Sequence, residues 1–355
     1  MRVLQVIDSL RPGGAERMAV SYAKLLHKNG HASYLCSTRF EGILKENLNP
    51  DIGYLFLNKK YALDFTALNK LRKYIKNNKI EIVHAHSSSY LFAALLKLTG
   101  LSFKLVWHDH YGESELLHQR KFRILKIFSK YFDGIISVNH KLKNWAVEKL
   151  KTEDVTMINN FIHNKENRTI VNTLEGPADA FKIICLANLR PQKDHQNLLR
   201  SFELLPDEIN ATLHLIGNDP KTSYSKEVLK LIEQSKSRNR IFYYGIQTEI
   251  IEYLGQADLG VLSSRSEGLP VALLEYGVAG LPVIVTNVGQ CKEVLNGYGL
   301  VVIPNNSEIM SEAILEYYEQ KKARLEDALN FQRHVLLEYG EDVIYKNIIE
   351  FYSTI

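Results

Sequence analysis

The chain has 355 residues, enough for two domains with a core each. Apolar residues make up 45% and charged residues 24%, a balance that excludes a disordered chain, and no apolar run reaches the roughly 18–20 residues of a membrane span. The net charge of +4 hides an asymmetry: residues 1–170 carry 27 Lys+Arg against 15 Asp+Glu (+12), and residues 171–355 carry 17 against 25 (−8).

A basic first half suits an anionic partner: a membrane surface, a lipid-linked diphosphate or a nucleic acid. It is equally compatible with a solvated face. No nucleic-acid module interleaves these cations, so nucleic acid is disfavoured. The three cysteines, Cys36, Cys185 and Cys291, are odd in number and lack metal-ligand spacing. They are expected to be reduced and structural, hence in a cytosolic protein. The opening MRVLQVIDSLRPGG has no cleavable signal pattern.

Residues 2–8 predict a buried strand. Gly13 and Gly14 follow, then a helical pattern that Asn29-Gly30 ends. A strand, a glycine turn and a helix favour phosphate, although the spacing is neither GxGxxG nor a Walker loop. Strands are expected at 31–37, 54–57, 80–84, 103–107, 134–138 and 155–158, and helices at 65–75, 90–98, 119–131 and 141–150. Two strands end in polar clusters, HAHSSS (84–89) and HDHYGE (108–113). Such ends are where open parallel sheets bind ligands, which places His84, His86, His108, Asp109 and His110 in one cleft. HxH and HDH on separate loops match no metal-ligand spacing, so no metal is expected. A satisfied core histidine is the plainer fate of His84. The segment 119–131 reads as a basic amphipathic helix, with Phe122, Leu125, Phe128 and Phe132 on one side. It packs on the core or faces a membrane. Residues 163–179, with Gly176-Pro177, read as a linker.

The second half continues with strands at 181–186, 213–216, 241–244 and 259–262, and a short helix at 250–254. Then comes SSRSEGLPVALLEYGVAGLPVIVT, residues 263–286. Pro270 suits a helix start and Gly280 a helix stop. A helix over 270–279 followed by a strand over 282–285 is therefore predicted. That unit sets a helix N-terminus at a sheet's carboxyl edge, where N–H groups and the dipole favour a diphosphate. Glu267 precedes the helix and Glu275 lies inside it, so each can accept hydrogen bonds from a sugar's hydroxyls. Residues 307–335 read as helical and 343–352 as a last helix.

The 263–286 stretch resembles the donor-binding motif of the retaining glycosyltransferase family 4, whose members have the GT-B fold. The resemblance implies that Glu267 lies beside the donor sugar and that Glu275 binds the nucleotide ribose, with Gly268, Leu269 and Pro270 at the diphosphate. It implies that Gly13 and Gly14 lie near the donor phosphates, that Arg17, His84, His86 and His110 face the acceptor, and that His108 lies close to the donor sugar. NNFIH (159–163) is similar to the family's boundary segment but differs at Asn159, Phe161 and His163. The family's diphosphate lysine aligns with Lys193. Its arginine aligns with Asn188, a departure, and Arg190 lies two residues on. The loops at Gly217 and Gly245–Thr248 fall on the nucleobase side.

These readings converge on an α/β chain of two doubly wound, Rossmann-like domains facing a cleft: 1–165 on the acceptor side, 178–335 for the nucleotide sugar, and a helix in 336–355 returning to the first domain. The implied activity is retaining transfer of a sugar from a UDP- or GDP-linked donor, without metal or other cofactor, in surface polysaccharide assembly. Lys193, Glu267 and His108 would be the central residues. The acceptor is expected to be a glycan, on a polyprenyl diphosphate at the inner face of the membrane. A non-catalytic nucleotide-sugar binder and an epimerase on the same fold are the alternatives.

Overall fold

Short apolar strands alternating with amphipathic helices can bury both strand faces only as parallel sheets covered by helices. The chain forms two such sheets, one in each of two units. The computed structural model describes every residue except 47, 62, 162–171, 248 and 249, and the side chains of 114 and 115. Most of the expected linker, His163 and Thr248 therefore lie outside the described residues.

The first unit is Met1–Phe161 with Glu341–Ile355. In chain order it has β1 (Arg2–Ser9), α1 (Gly14–Lys28), β2 (Ala32–Phe40), β3 (Gly53–Phe56), α2 (Phe65–Asn77), β4 (Ile82–His86), α3 (Tyr90–Lys97), β5 (Lys104–Asp109), α4 (Arg123–Ser129), β6 (Gly134–Ser137), α5 (His140–Lys149) and β7 (Val155–Met157). Its strand order is β3-β2-β1-β4-β5-β6-β7, all parallel. The second unit, Ile162–Gly340, has β8 (Phe181–Leu186), α6 (His195–Glu203), β9 (Ala211–Ile216), α7 (Ser223–Gln234), β10 (Ile241–Tyr243), α8 (Ile250–Leu254), β11 (Leu259–Leu262), α9 (Val271–Ala279), β12 (Val283–Thr286), α10 (Cys291–Leu295), β13 (Leu300–Val302), α11 (Ser307–Glu319) and α12 (Lys321–Glu338). Its order, β10-β9-β8-β11-β12-β13, repeats the first pattern. The last helix, α13 (Glu341–Thr354), belongs to the first unit: Glu341 pairs with Lys28 at 2.8 Å, and the Tyr345 hydroxyl lies 2.9 Å from His31 Nε2.

Both sheets reverse their strand order beside the first strand, between β1 and β4 and between β8 and β11. Loops part there and leave a crevice at the carboxyl edge. The expected two-domain Rossmann-like architecture is the one found. Element ends moved. The strand predicted at 80–84 is β4, at 82–86, so His86 joins His84 on the strand and does not lie on a loop. The long helix expected over 119–131 is only α4, since Ser114–Gln119 is a 3-10 turn and Arg120 is extended. The single helical stretch expected over 307–335 breaks at Gln320 into α11 and α12. Helices α6 and α7 had no apolar run long enough to announce them.

Each sheet packs its own core, around Trp107, Phe92 and Phe132 in the first unit and Phe202, Leu213 and Tyr317 in the second. In the second unit α12 covers α9 closely. A Cβ on Gly277 would come within 2.5 Å of Val335 Cγ2, so only glycine lets the helices approach this far.

Candidate functional site

In the second unit, two loops meet at the reversal of strand order. One leaves β8 and carries Arg190, Lys193 and Asp194; the other leaves β11 and carries Ser263–Pro270. Their backbones are stitched together: Arg265 N–H donates to Gln192 O (2.8 Å) and Ser263 Oγ donates to Lys193 O (2.9 Å). Asp194 adopts left-handed φ (+47°), caps α6 through Asn197 N–H, and takes a two-pronged ion pair from Arg265 at 2.7 and 2.9 Å. This clamp brings the sequence-predicted pair together. Lys193 Nζ lies 2.5 Å from Glu267 Oε1, and Ser264 Oγ donates to the same oxygen at 2.6 Å. Glu267 is buried, so removing the Lys193 ammonium would leave its charge without that cation, costing about 3–5 kcal/mol.

Helix α9 starts immediately after this loop. It begins at Val271, one residue later than expected, with Pro270 extended at its N-cap and no side chain capping its first N–H groups. Gly280 closes it in the left-handed conformation (φ +71°), as predicted. Glu275 is buried within it. The loop after β12 braces the donor loop from behind: Gln290 N–H donates to Gly268 O at 3.0 Å, and Gly289 sits against the Glu267 and Gly268 carbonyls. Asn188, which stands where the family has arginine, spends its Oδ1 on Asn218 N–H (2.8 Å). Arg190 is exposed, and among the described residues its guanidinium makes no ion pair with a protein group. One cation is thus held on Glu267 and one is left at the loop surface.

In the first unit, Gly13 caps α1 with extended backbone (φ −164°), and Gly14 and Arg17 lie in its first turn. Across the sheet from that turn, four histidines line up. His84 and His86 project from one face of β4, two residues apart, and His108 and His110 from the end of β5. His84 Nε2 lies 3.1 Å from His108 Nδ1, and His86 Nδ1 lies 2.9 Å from His110 Nε2. The two linked pairs stack on each other, with ring centroids 4.5 Å apart for His84–His86 and 4.0 Å for His108–His110. Burial drives all four toward the neutral form: His110 falls to about 3, and His84, His86 and His108 lie well below the ordinary range.

Three of these rings, His84, His86 and His108, are close enough to share a metal ion. The hydrogen bonds argue against it. Both nitrogens of His84 and of His86 are already bonded to Tyr352, His108, His110 and Gln5. Of these three rings, only His108 has a buried nitrogen without a partner, its Nε2. His84 and His86 therefore act through their neighbours, while His108 and His110 keep one nitrogen each for a ligand. Gln5, Tyr352, Asp194, Arg265, Ser264 and Gly289 were missed from sequence. Ser264 and Arg265 stand in the quoted 263–286 stretch, but their partners come from the fold, as do those of the other four.

Beside His110 lies a pocket of about 550 Å³, lined among others by Ser87, Trp107, Tyr111, Arg120 and Lys121. Arg120 is held by both oxygens of Asp109 at 2.7 Å and caged by Trp145 and Tyr111, 4.2 and 4.3 Å from their ring centres. Asp109 thus serves as an anchor for Arg120.

Residues 12–166 match the model of Glycosyltransferase Family 4, and residues 166–331 that of Glycosyl transferases group 1. The O-antigen biosynthesis glycosyltransferase WbnH of Escherichia coli is 27% identical over 307 residues, 82% of either chain. The N-acetyl-alpha-D-glucosaminyl L-malate synthase of Bacillus anthracis is 26% identical over 243 residues, 65% of this chain and 63% of that protein, so less than two thirds of that relative is spanned. The crystal structure of Anabaena Alr3699/HepE in complex with UDP and glucose is similar over 100% of both chains, with a TM-score of 0.83 at 16% identity. Matched in both halves, the chain belongs to the family 4 glycosyltransferases and has their GT-B fold.

Proposed function

We propose that the protein moves a sugar from a nucleoside-diphosphate sugar to an acceptor hydroxyl with retention at the anomeric carbon, in the assembly of a surface polysaccharide. The observation that carries this reading is the pairing of half-buried Lys193 with buried Glu267 at the strand-order reversal, directly ahead of α9. The diphosphate would lie at the α9 N-terminus, where Lys193, Arg190 and free N–H groups offset the charge that grows as the sugar leaves. That set of charges makes transfer without a metal the simplest reading. Glu267 would hold a hydroxyl of the donor sugar, Glu275 the ribose, and His108 Nε2 a further sugar oxygen. The bond from C1 to the diphosphate oxygen breaks as the acceptor oxygen bonds C1 on the same face. The acceptor's proton passes to the departing diphosphate.

Likeness to a protein seen with UDP and glucose favours a uridine donor, with guanosine as the other arm of a donor screen. Likeness to an O-antigen enzyme favours a glycan acceptor. The positive first half suits an acceptor on a polyprenyl diphosphate at the cytoplasmic face of a membrane. No helix among the described residues is long and apolar enough to cross one. A surface contact has a visible basis: Tyr61, Leu63 and Phe65 are 62–78% exposed just ahead of the basic helix α2, and Ile124 and Ile127 are exposed on α4 among Lys121, Arg123 and Lys126.

Replacing Glu267 with Ala tests the site. Turnover should fall about 100-fold or more, as when a stabilising group is removed from a transition state, while nucleotide binding persists through the freed Lys193. Full retention of transfer would remove the assignment.

A further inference from the structure

The histidine quartet has a direction, and a buried glutamine and a buried tyrosine set it, one for each pair. Gln5 Oε1 lies 2.8 Å from His86 Nε2. A carbonyl oxygen only accepts, so His86 carries its proton on Nε2 and offers a lone pair at Nδ1. His110 Nε2, 2.9 Å away, must then donate. That leaves the lone pair of His110 on Nδ1, and His110 lines the 550 Å³ pocket.

The second pair runs the opposite way in space. The Tyr352 hydroxyl lies 2.6 Å from His84 Nδ1. A phenol is a stronger acid than a neutral imidazole N–H, and the imidazole nitrogen is the better base, so the proton stays on the hydroxyl and points at His84 Nδ1. His84 Nε2–H then donates to His108 Nδ1 at 3.1 Å, and His108 ends in an N–H at Nε2, the buried nitrogen that lacks a partner. The two ends therefore differ in hydrogen-bond character.

We propose that Gln5 and Tyr352 hold all four rings in the Nε2–H tautomer, so that His108 offers a donor and His110 Nδ1 an acceptor to the substrates. The His110 end makes the adjoining pocket a subsite for a hydroxyl of the carbohydrate acceptor. This ligand assignment rests on the glycosyl-transfer reading; the tautomers do not. Gln5 and Tyr352 are positioning residues, since they act only through His86 and His84.

The test is nitrogen-15 NMR of the full chain labelled at histidine, near pH 7 and without substrate. Each buried ring should show a protonated Nε2 and an unprotonated Nδ1. The Tyr352→Phe variant should mix the tautomers of His84 and His108 and leave His86 and His110 as they were. Gln5→Met, an apolar change of similar length, should mix the tautomers of His86 and His110 and leave His84 and His108 as they were. Should either variant unfold, the wild-type spectrum decides alone: any of the four rings in Nδ1–H, or any of them charged, overturns the proposal. If the tautomers hold but no UDP- or GDP-sugar is turned over on any acceptor, the functional reading fails and the network stands. Where transfer is measured, Gln5→Met should raise the acceptor KM about tenfold with the donor KM within about twofold. The reverse pattern removes the hydroxyl subsite.

Discussion

Glu267 shows how much a single side chain depends on its neighbours' backbones. Its carboxylate meets Lys193 and Ser264, and its carbonyl is backed by Gly289, which holds φ at +54°. A Cβ on Gly289 would lie 2.4 Å from Glu267 O and 2.6 Å from Gly268 O. Both are backbone atoms that cannot swing aside. Gly289→Ala should therefore cost about 1–3 kcal/mol, a fall of several degrees in the melting temperature of a domain this size, and should slow transfer at least about tenfold by displacing Glu267. A variant with wild-type melting and turnover would show that the loop is not braced there. The motif around Glu267 was legible, because glycine, proline and two acids sit within a dozen residues. Gly289 was not, because its contact crosses from β12 to the loop after β11.

At the scale of elements, the helices fall where the strand pattern requires, and the informative parts are the segments between them. The turn leading into α2 leaves Tyr61, Leu63 and Phe65 open to solvent, which a water-soluble surface has no reason to favour. The expected membrane face was the longer helix over 119–131; the observed α4 is a single short helix, and Tyr61, Leu63 and Phe65 are further exposed apolar side chains just before and at the start of α2. Replacing Tyr61, Leu63 and Phe65 together with Ser should weaken binding to vesicles rich in anionic lipid by about tenfold or more, since each buried side chain contributes about 1.5–3 kcal/mol. Turnover on a water-soluble acceptor should be untouched. Unchanged sedimentation with vesicles would remove this turn from the contact, leaving α4 to be tested by charge reversal at Lys121, Arg123 and Lys126.

For the whole molecule, buried histidines set the response to acid. Burial lowers His110 to about 3 and His195 and His214 to about 4, and holds His84, His86 and His108 well below the ordinary range. The unfolded chain protonates these groups near 6.5, so between that value and the folded one it binds more protons than the native state. Stability is therefore complete above about pH 6.5 and declines as the pH falls, by about 1.4 kcal/mol per pH unit for each histidine. Urea unfolding followed from pH 7.5 to 5 should show the midpoint dropping steeply below 6.5. A flat midpoint over that range would mean that the quartet already carries charge in the folded state.

Strand and helix periodicity, glycine and proline stops, and the acid pair flanking GLP already identified two Rossmann-like domains and the donor motif, because these signals are local and lie within one turn or one strand. Element ends shifted by one or two residues where the chain lacks a strong stop, as at β4, and that shift moved His86 from a loop onto the strand. The pairings that give the sites their chemistry were decided only in three dimensions: Lys193 on Glu267, Asp194 on Arg265, Gln5 on His86 and Tyr352 on His84. Their partners stand 71 to 268 residues apart, as with Arg265 and Asp194 or Tyr352 and His84. Hydrogen-bond direction belongs to a network of positions and not to any one residue, so no stretch of sequence carries it.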